Sequence, residues 1–344
     1  MSRSTVVLIP AWNPAEDLCS FVAGLLGVGF SAVVVVDDGS DSSCRRVFDS
    51  LNGSGVHVLR HAVNLGKGRA LKTGFNFVLD SLPHLQGVVT ADADGQHRVE
   101  DIVRVAGALE ALPRRTILGC RQFVGAVPVR SRFGNTVTRW VFRFVTGRGV
   151  SDTQTGLRGF PVALLPQLMG LQGERYEYEM TVLGHLCRAG SPLAEVPIAT
   201  VYLDGNRSSH FDPIRDSMRI YFVLLRFYAS SLIAAGIDFA GFSVAFALTH
   251  DVLTSFVVGR LSSLANFLLN KRYVFHSDTS IGGSLGRYYL LAFAMAAVSY
   301  GSIRGLTGYF GWNVFAAKLG VDTLLSFASF AVQRTFVFPI REEN

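Results

Sequence analysis

The chain is short of charge and has no basic cluster. Charged residues make up only 17% of its 344 residues, and the mean hydropathy of +0.33 is too apolar for an ordinary soluble enzyme. No run of Lys and Arg longer than two residues occurs. The net charge of +6 therefore favours anionic lipid or phosphate as a partner and disfavours nucleic acid. This length leaves room for about two domains.

Three further absences argue against particular protein classes and sites. The four cysteines have no C-x-x-C spacing and no clustered histidines, which argues against a zinc site or a disulfide framework and predicts buried, reduced thiols in the cytosol. No G-x-G-x-x-G follows the first predicted strand, and the segment around Gly66-Lys67 lacks the Walker spacing. Dinucleotide oxidoreductases and P-loop NTPases are thus disfavoured. The first apolar run ends at Pro10 and is too short for a signal peptide.

Short apolar runs alternate with helical patterns in the first third of the chain, which predicts a parallel sheet covered on both faces. The predicted strands are Val6–Ile9, Ala32–Val36, Val56–Leu59, Gly87–Thr90 and Thr116–Gly119. Ligands bind at the carboxyl ends of the strands in such sheets. Three of these ends are followed by polar segments, at Pro10–Asn13, Asp37–Ser40 and Asp92–Gln96.

The segment Val88–His97 carries two carboxylates directly after a buried strand. We expect Asp92 and Asp94 to point to the same side and to share a divalent cation with Gln96 close by. Hard oxygen ligands suit Mg²⁺ or Mn²⁺, which in turn hold a diphosphate. The alternative is an Asp-Gly turn that caps the next helix. The two other polar strand ends favour the metal site.

Five motifs now stand in a fixed order: Ile9–Asn13, Val36–Ser40, Asn64–Gly68, Asp92–His97 and Asp152–Arg158. Together they resemble the family 2 glycosyltransferases with a GT-A fold, and within them the polyprenyl-phosphate sugar synthases. The resemblance covers roughly residues 5–220. It implies a Rossmann-like α/β catalytic domain that transfers a sugar from a nucleotide sugar to a lipid phosphate.

The resemblance also implies roles for individual residues. The metal ligands are Asp92, Asp94 and Gln96. The nucleotide sugar is bound by Pro10, Trp12, Asn13, Asp38, Gly39, Lys67, Asp92, Ala93, Asp94, Glu177, Arg207 and His210. The acceptor phosphate is bound by Arg121, Arg130, Arg132, Asp152 and Arg158. Of these, the residues expected to act in catalysis are Asp92, Asp94, Arg121 and Arg132.

Alternatives remain for several of these residues. Trp12 could be a core aromatic, the acceptor arginines could be solvated surface residues, and Arg158 could be structural and paired with Asp152. The sequence also departs from the family pattern at Pro14, at Leu157 and at His210, which replaces a phosphate-binding lysine. The nucleotide base and the hexose therefore stay open between a GDP-mannose and a UDP-glucose type of donor.

The second half of the chain is predicted to lie in a membrane. Basic helices with aromatic residues at 133–146 and 211–226 are typical of a membrane surface; an amphipathic core helix is the alternative for each. Apolar spans of near-membrane length follow at about 227–248, 252–269, 288–309 and 314–332. The predicted domains are thus 1–210, an interface helix at 211–226, and a membrane domain at 227–338.

The four predicted spans are expected to form two related hairpins. Asn270–Phe275 and Gln333–Phe338 each follow a span and match at an offset of 63 residues, which indicates a duplication. This region resembles GtrA-like four-span domains. Lys and Arg flank the spans on one side only, so both termini and the catalytic domain are expected in the cytosol.

The sequence therefore predicts a multi-pass plasma-membrane enzyme that depends on Mg²⁺ or Mn²⁺. It is expected to transfer a hexose, with inversion, from a nucleotide sugar to polyprenyl phosphate. A flippase for lipid-linked sugar is one alternative. A processive polysaccharide synthase is another, although Thr136 stands where the Q-x-x-R-W signature of those enzymes has glutamine. The oligomeric state, including a homo-oligomer, stays open.

Overall fold

A computed structural model describes residues 3–51, 53–121, 139–199, 213–251, 254, 257–258, 261–275, 277 and 279–339. The chain divides into two compact units, Met1–Arg219 and Ile220–Asn344. The boundary between the units lies inside the predicted interface segment 211–226, and the predicted three-part division stays a prediction.

The first unit is built around one seven-stranded sheet with the order β3-β2-β1-β4-β6-β5-β7. Its strands are β1 Thr5–Ala11, β2 Val33–Asp37, β3 Val56–Arg60, β4 Gly87–Thr90, β5 Thr116–Arg121, β6 Arg158–Pro161 and β7 Leu193–Ile198. Its helices are α1 Asp17–Gly27, α2 Arg45–Ser50, α3 Lys67–Ser81, α4 Val99–Ala111, α5 Leu165–Met169 and α6 Glu177–Arg188. The five predicted strands correspond to β1–β5.

The sheet is parallel except at one strand. β6 pairs antiparallel with both β4 and β5, whereas all other pairs are parallel. The sequence pattern did not predict β6 or β7. β6 has only four residues, among them Arg158 and Pro161, and all four are buried. A strand is recognised in a sequence by apolar residues that alternate with polar ones or form an apolar run. The four residues of β6 show neither pattern, so the sequence did not indicate a strand there.

Both faces of the sheet are covered, as the apolar strands predict. Successive residues of a strand point to opposite faces, so Val7 and Ile9 pack in one core with α1, α2 and α4. Val6 and Leu8 pack in the other core with α3, α5 and α6. All four side chains are fully buried. Each such burial is worth about 1.5 to 3 kcal/mol, which makes the sheet a rigid base for the loops at its edge.

The cysteines are free, but only two of them match the predicted burial. Cys120 and Cys187 are buried, whereas Cys19 and Cys44 are half-buried. The prediction was wrong for this second pair because it rested on residue type alone. Neither the spacing nor the described contacts indicate a metal or a disulfide.

The second unit is helical. Its helices are α7 Pro213–Thr249, which begins before the unit boundary, α8 Ser262–Leu269, α9 Ile281–Phe310 and α10 Val314–Val332. Within the described residues, Leu225–Thr249 and Ile281–Phe310 are long and apolar enough to cross a membrane. The predicted count of four spans stays a prediction.

The predicted offset of 63 residues recurs in the backbone of the second unit. α8 continues into a π-helical turn at Asn270–Val274, and α10 continues into one at Gln333–Val337. The buried amides that begin these turns bond to each other, with Asn270 Nδ2 donating to Gln333 Oε1 at 3.1 Å. π-helical turns are rare, so their matched positions support a duplicated hairpin.

Candidate active site

The pairing of β4 with β1 brings the acidic segment to the carboxyl edge of the sheet. The last described register pair is Leu8 with Thr90, and the Ala91 amide donates to the Leu8 carbonyl at 3.0 Å. Asp92 is therefore the first side chain to leave the sheet between β1 and β6. The carboxyl ends of β1, β2 and β4 lie at the same edge because these strands pair in parallel, and the carboxyl end of β5 lies there too because β6 is antiparallel to both β4 and β5.

A charged cluster lies directly beside this strand end. The Lys67 ammonium at the start of α3 contacts Asp92 Oδ1 at 2.6 Å and Glu179 Oε2 on α6 at 2.8 Å. The other oxygen of Asp92 lies 3.3 Å from His97 Nε2. These side chains are largely shielded from solvent. The cluster thus places one cation between two carboxylates at the predicted diphosphate site.

The charges of the cluster stabilise one another. Burial alone lowers the pKa of Lys67, but the Asp92 and Glu179 carboxylates outweigh burial and raise that pKa above its ordinary range. Burial alone raises the pKa of Asp92, but Lys67 and His97 outweigh it and hold that pKa well below its usual range. Asp92 is therefore ionised and Lys67 is protonated at neutral pH.

Asp94 differs from Asp92 in its surroundings. Its Oδ1 accepts a hydrogen bond from the Gln96 amide at 3.1 Å across a turn in which Gly95 has φ +75°. Burial and the neighbouring Asp92 carboxylate raise the pKa of Asp94. The Asp-Gly turn considered as the alternative is thus present, and the shared cation stays a prediction. A carboxylate whose pKa is raised by a neighbouring carboxylate is stabilised in its ionised form by a cation beside the pair.

The oxygen donors available here suit a hard cation. Among the described residues, no group of three or more His, Cys, Asp and Glu side chains is placed to hold a metal. Asp92, Asp94 and Gln96 instead offer two carboxylates and one carboxamide, which is the donor type that Mg²⁺ and Mn²⁺ bind while they keep water or substrate phosphate as further ligands. The residues present fit the predicted metal.

The backbone at Gly156 closes the other side of the Asp92 carboxylate. A Cβ on Gly156 would lie 2.4 Å from Asp92 Oδ2. The Thr90 hydroxyl donates to the Gly156 carbonyl at 2.8 Å and fixes this approach. The glycine of the Asp152–Arg158 motif is therefore required by its contact with the acidic segment, which lies far away in sequence.

Lys67 is held in place by Asp38. The Asp38 carboxylate accepts hydrogen bonds from the amides of Leu65 and Gly66 at 3.0 and 2.7 Å, and it contacts His61 Nδ1 at 2.7 Å. Both oxygens of this buried carboxylate are therefore used within the protein. The predicted contact of Asp38 with the base or ribose stays a prediction. In the structure, the Asp38 carboxylate fixes the loop before Lys67.

Two glycines permit this loop to pack closely. Gly39 has φ +69°, and a Cβ there would lie 2.1 Å from the Val63 backbone. Gly66 has φ +105°, and a Cβ there would lie 2.4 Å from the Glu174 carbonyl oxygen. L-residues rarely adopt such φ values. Gly39, a predicted site residue, thus has a structural effect: because it has no Cβ, the loop that ends at Lys67 can lie against β2.

Arg121 and Asp152 form the principal ion pair of the predicted acceptor site. Arg121 Nε and Nη2 donate to the two Asp152 oxygens at 2.7 and 3.0 Å, and the Arg121 amide lies 3.3 Å from Oδ2. Asp152 is fully buried. The alternative pairing of Asp152 with Arg158 was wrong, because Arg121 occupies both oxygens in a bidentate arrangement.

Arg158 lies inside the first unit rather than at its surface. Only 2% of it is exposed, and its guanidinium donates to the carbonyls of Thr155, Glu179 and Thr153 at 2.9, 2.6 and 3.5 Å. These bonds join β6 to the start of α6. These contacts support the structural role considered for Arg158. Its predicted contact with the acceptor phosphate stays a prediction.

We expect the Arg121–Asp152 pair to stabilise the fold in a pH-dependent way. Burial raises the pKa of Asp152, but the Arg121 guanidinium and two backbone amides outweigh it and lower that pKa. This stability is present above the unfolded pKa of about 3.9 and is lost as the pH falls through the folded pKa. Asp152→Asn should lower the free energy of unfolding at pH 7 by about 2 kcal/mol, because Arg121 loses its charged hydrogen-bond partner.

Thermal unfolding in detergent at several pH values checks this prediction. The difference between Asp152→Asn and the unsubstituted protein should shrink as the pH falls below about 4. Asp80→Asn, which neutralises an exposed carboxylate on α3, is the control and should leave the unfolding temperature unchanged. An Asp152→Asn deficit that is the same at pH 7 and pH 3 would contradict the pairing argument.

The segment after β1 is exposed and polar. Trp12 is 44% exposed, so the alternative of a core aromatic is wrong. Asn13 has φ +49°, and its Nδ2 donates to Asp41 Oδ2 at 2.9 Å while its Oδ1 accepts from the Asp41 amide at 2.8 Å. Pro10 is the last but one residue of β1. This segment offers an aromatic face at the strand edge, and its contact with a base stays a prediction.

Two glutamates at the start of α6 have different partners, and the predicted contact of Glu177 with the sugar stays a prediction. Glu177 Oε1 lies 3.2 Å from the Glu174 amide and 3.4 Å from the Arg175 amide, which places it at the beginning of its own helix. Glu179 contacts Lys67 instead. Two residues along a helix turn by about 200°, so the two glutamates face opposite sides. The sequence contains both glutamates, and only the packing of α6 against the loop before Lys67 shows that Glu179 is the one that contacts Lys67.

Sequence reasoning also missed His61 and His97, which bond to Asp38 and Asp92. His97 is the last residue of the Asp92–His97 motif and His61 lies three residues before the Asn64–Gly68 motif, and these positions were the available signal. Ala93 lies in the acidic segment as predicted and is half-buried. Four predicted site residues lie outside the described residues, namely Arg130, Arg132, Arg207 and His210.

Comparison with known proteins identifies the family. Residues 6–165 match the model of glycosyl transferase family 2. An uncharacterized protein of Methanocaldococcus jannaschii is 31% identical over 207 residues, which cover 59% of this chain and 83% of that protein. This chain is a member of glycosyltransferase family 2. It therefore has the GT-A fold, and the mostly parallel sheet of the first unit agrees with that fold.

Residues 226–338 of this glycosyltransferase match the GtrA/DPMS transmembrane domain. The enzyme is thus a membrane protein with an α/β catalytic domain and a helical membrane domain. The polyprenol monophosphomannose synthase of Mycolicibacterium smegmatis is 28% identical, with 57% of this chain and 77% of that protein covered. The glucosyl-3-phosphoglycerate synthase of Mycobacterium tuberculosis, solved with Mn²⁺ and UDP, is 17% identical with a TM-score of 0.48, over 65% of this chain and 78% of that one.

Proposed function

We propose that this glycosyltransferase moves a hexose from a nucleotide sugar to polyprenyl phosphate at the cytosolic leaflet. The observation that carries the proposal is the pair Asp92 and Asp94 at the end of β4, beside the ammonium of Lys67, in a chain whose second half matches a transmembrane domain. A relative that is named a polyprenol monophosphomannose synthase supports the acceptor class. The donor is of the GDP-mannose or UDP-glucose type.

The donor diphosphate is placed at the acidic segment. Asp92, Asp94 and Gln96 would hold a divalent Mg²⁺ or Mn²⁺, for which their oxygens are suited. The bound cation would neutralise the diphosphate and stabilise the departing nucleoside diphosphate. Lys67 supplies a second, permanent positive charge at the same place, and Glu179 keeps its ammonium oriented. Trp12 offers its exposed ring for stacking on the base.

The acceptor requires charge neutralisation more than it requires a base. A lipid phosphate is already an anion at neutral pH and can attack the anomeric carbon without giving up a proton. Two phosphate groups must, however, lie side by side against their repulsion. Arg121 is held at the edge of the sheet by Asp152 through Nε and Nη2, and its guanidinium is proposed to face the acceptor phosphate. Arg130 and Arg132 are proposed to assist it. In-line attack inverts the anomeric centre.

The proposal is tested with the purified full-length protein in detergent. Polyprenyl phosphate, UDP-glucose or GDP-mannose, and Mg²⁺ or Mn²⁺ are combined, and lipid-linked sugar is separated by chromatography. We expect a β-linked product from one α-linked donor, and none when polyprenol without its phosphate replaces the acceptor. A folded protein that forms no lipid-linked sugar from any donor would remove the proposal.

The approach of Gly156 to Asp92 gives a further prediction. Gly156→Ala places a Cβ 2.4 Å from the Asp92 carboxylate, which must then move by about 1 Å to reach ordinary contact distance. Displacements of this size at a reacting site cost about 100-fold in rate. The initial rate of lipid-linked sugar formation measures the effect.

Gly107→Ala is the matched control for this substitution. Gly107 lies inside α4, and a Cβ there would meet nothing within 4 Å. That variant should keep full activity and gain about 0.5 to 1 kcal/mol of stability, because alanine favours helix over glycine. Equal activity of the two variants would show that the Asp92 carboxylate tolerates displacement.

A further inference from the structure

His61 is a buried histidine to which the proposed transfer reaction gives no role. It directly follows β3, and Asp38 directly follows β2, the neighbouring parallel strand. The His61 amide donates to the Asp37 carbonyl at 2.8 Å and so extends the pairing of the two strands by one residue. This pairing brings the side chains of His61 and Asp38 together, and only 8% and 4% of them are exposed. Buried polar side chains are almost always hydrogen-bonded, so the partners of the ring indicate what it does.

Both ring nitrogens of His61 have a partner. The Asp38 carboxylate accepts backbone amides at both of its oxygens, so His61 Nδ1 carries the proton in the bond of 2.7 Å to Asp38 Oδ1. The other ring nitrogen, Nε2, lies 2.9 Å from Thr73 Oγ1 on α3. The ring is therefore fixed at both ends, between the end of β2 and the second turn of α3.

The same carboxylate holds the loop between His61 and Lys67. It accepts from the amides of Leu65 and Gly66 at 3.0 and 2.7 Å. Apolar side chains contribute little to holding this loop, because Val63 and Leu65 are 61% and 43% exposed. The hydrogen bonds to the Asp38 carboxylate therefore fix the backbone immediately before Lys67.

The position of the Lys67 ammonium depends on this backbone. Lys67 directly follows Gly66 and begins α3, and its Nζ lies 2.6 Å from Asp92 Oδ1. If the Asp38 carboxylate loses the bond from His61, it can turn, and the amides that it holds move with it. Displacements of about 1 Å at a reacting site cost about 100-fold in rate. A change at His61 therefore reaches the acidic segment through Asp38 and Lys67.

We propose that His61 is a positioning residue for the donor diphosphate. Its bond to Asp38 holds the loop that places the Lys67 ammonium beside the acidic segment. That the ligand is a nucleoside diphosphate rests on the proposed function, whereas the chain of contacts from His61 to Lys67 belongs to the fold. Because the charge of Lys67 acts on the diphosphate and not on the base, the loss of His61 should weaken recognition of the diphosphate only.

Two substitutions separate the two ends of the ring. The Nδ2 of asparagine takes the place of ring Nδ1, so His61→Asn keeps a donor to Asp38. The Nε2 of glutamine takes the place of ring Nε2, so His61→Gln keeps only the bond to Thr73. Calorimetric titration of the full-length protein in detergent with UDP or GDP and Mn²⁺ measures the effect. We expect His61→Gln to weaken binding about tenfold, as the loss of a hydrogen bond to a charged group predicts, and His61→Asn to weaken it by less than about threefold.

Two comparisons distinguish positioning from a general loss of structure. Uridine or guanosine, measured by competition with the diphosphate, should bind all variants equally, because a nucleoside carries no phosphate for Lys67. In a Lys67→Met background, His61→Gln should have no further effect on diphosphate binding, since a residue that acts through Lys67 has no effect without it. His84→Gln, at an exposed histidine before β4, is the control and should bind the diphosphate as the unsubstituted protein does.

Unchanged diphosphate binding in His61→Gln, or a loss of equal size in the Lys67→Met background, would overturn the inference. If His61→Gln does not fold, Thr73→Val carries the test. It removes the bond at Nε2 and should weaken diphosphate binding about threefold, and an unchanged affinity would then overturn the inference.

The same samples separate this inference from the proposed function. Transfer from UDP-glucose or GDP-mannose to polyprenyl phosphate is assayed in parallel. Diphosphate binding that depends on His61, without any transfer, would remove the proposed function and keep the positioning role. Transfer together with diphosphate binding that is the same in His61→Gln would keep the function and remove the positioning role.

Discussion

Asp94→Asn is expected to lower the rate of sugar transfer about 1000-fold and to leave the fold intact. The Asp94 carboxylate makes one described hydrogen bond, from the Gln96 amide, and an asparagine Oδ1 can accept that bond as well. The substitution therefore removes charge with little change in shape. A cation that stabilises a departing diphosphate contributes several kcal/mol, and each 1.4 kcal/mol is a factor of ten.

Two measurements check this prediction independently. The rate of lipid-linked sugar formation should fall in Asp94→Asn and also in the unsubstituted protein treated with EDTA, where added Mn²⁺ should restore it. Calorimetric titration of Mn²⁺ in the presence of UDP or GDP should show weaker binding in the variant. Asp80→Asn, an exposed carboxylate on the same unit, should change neither. Full activity of Asp94→Asn would exclude this carboxylate as a metal ligand.

Glu179→Gln should reduce kcat/KM about 30-fold, and the matched variant Glu177→Gln should reduce it by less than about threefold. Hydrogen bonds to charged groups contribute about 1.5 to 3 kcal/mol, and Glu179 makes such a bond to Lys67 at 2.8 Å. Without the bond to Glu179, Lys67 is held by Asp92 alone. Its ammonium is then expected to move away from the donor and towards the Asp92 carboxylate. Glu177 instead contacts the amides before α6, so the loss of its negative charge at the start of that helix should lower the unfolding temperature.

The two glutamate variants distinguish the structure from the sequence pattern. The sequence pattern selected Glu177 as a contact to the sugar, whereas the structure places Glu179 at the charged cluster. Steady-state rates with the donor varied, together with thermal unfolding of each variant, give the comparison. A large loss of activity in Glu177→Gln with Glu179→Gln unaffected would support the earlier assignment and would contradict the role of the Lys67–Glu179 pair.

The parts of the site that follow one strand were predictable from the chain. Asp92, Asp94 and Gln96 are close in sequence, and an apolar run before them fixes the end of β4. The five strands of the first third were predicted for the same reason, since each is a short apolar run. β6 was not, because its four residues include a buried arginine whose hydrogen-bond partners come from other segments.

Residues that act through distant partners could not be assigned from sequence. Asp38 looked like a ligand for the base, yet its carboxylate bonds the amides of Leu65 and Gly66. The sequence left open a pairing of Asp152 with Arg158, which is close in the chain, yet Asp152 bonds Arg121 on β5. The reason is the same for Asp38 and Asp152: a charged side chain bonds a partner that is near in space, and the motif order does not contain that distance.

The sequence by itself determined the family, the two-part organisation and the acidic segment, because apolar periodicity and motif order are local properties of a chain. Only the tertiary structure decided that Glu179 rather than Glu177 meets Lys67, that Gly156 closes against Asp92, and that Asn270 and Gln333 bond to each other. These contacts join segments that are far apart along the chain. Their geometry arises from the pairing of β4 with β1 and β6 and from the packing of the helices, which no single segment encodes.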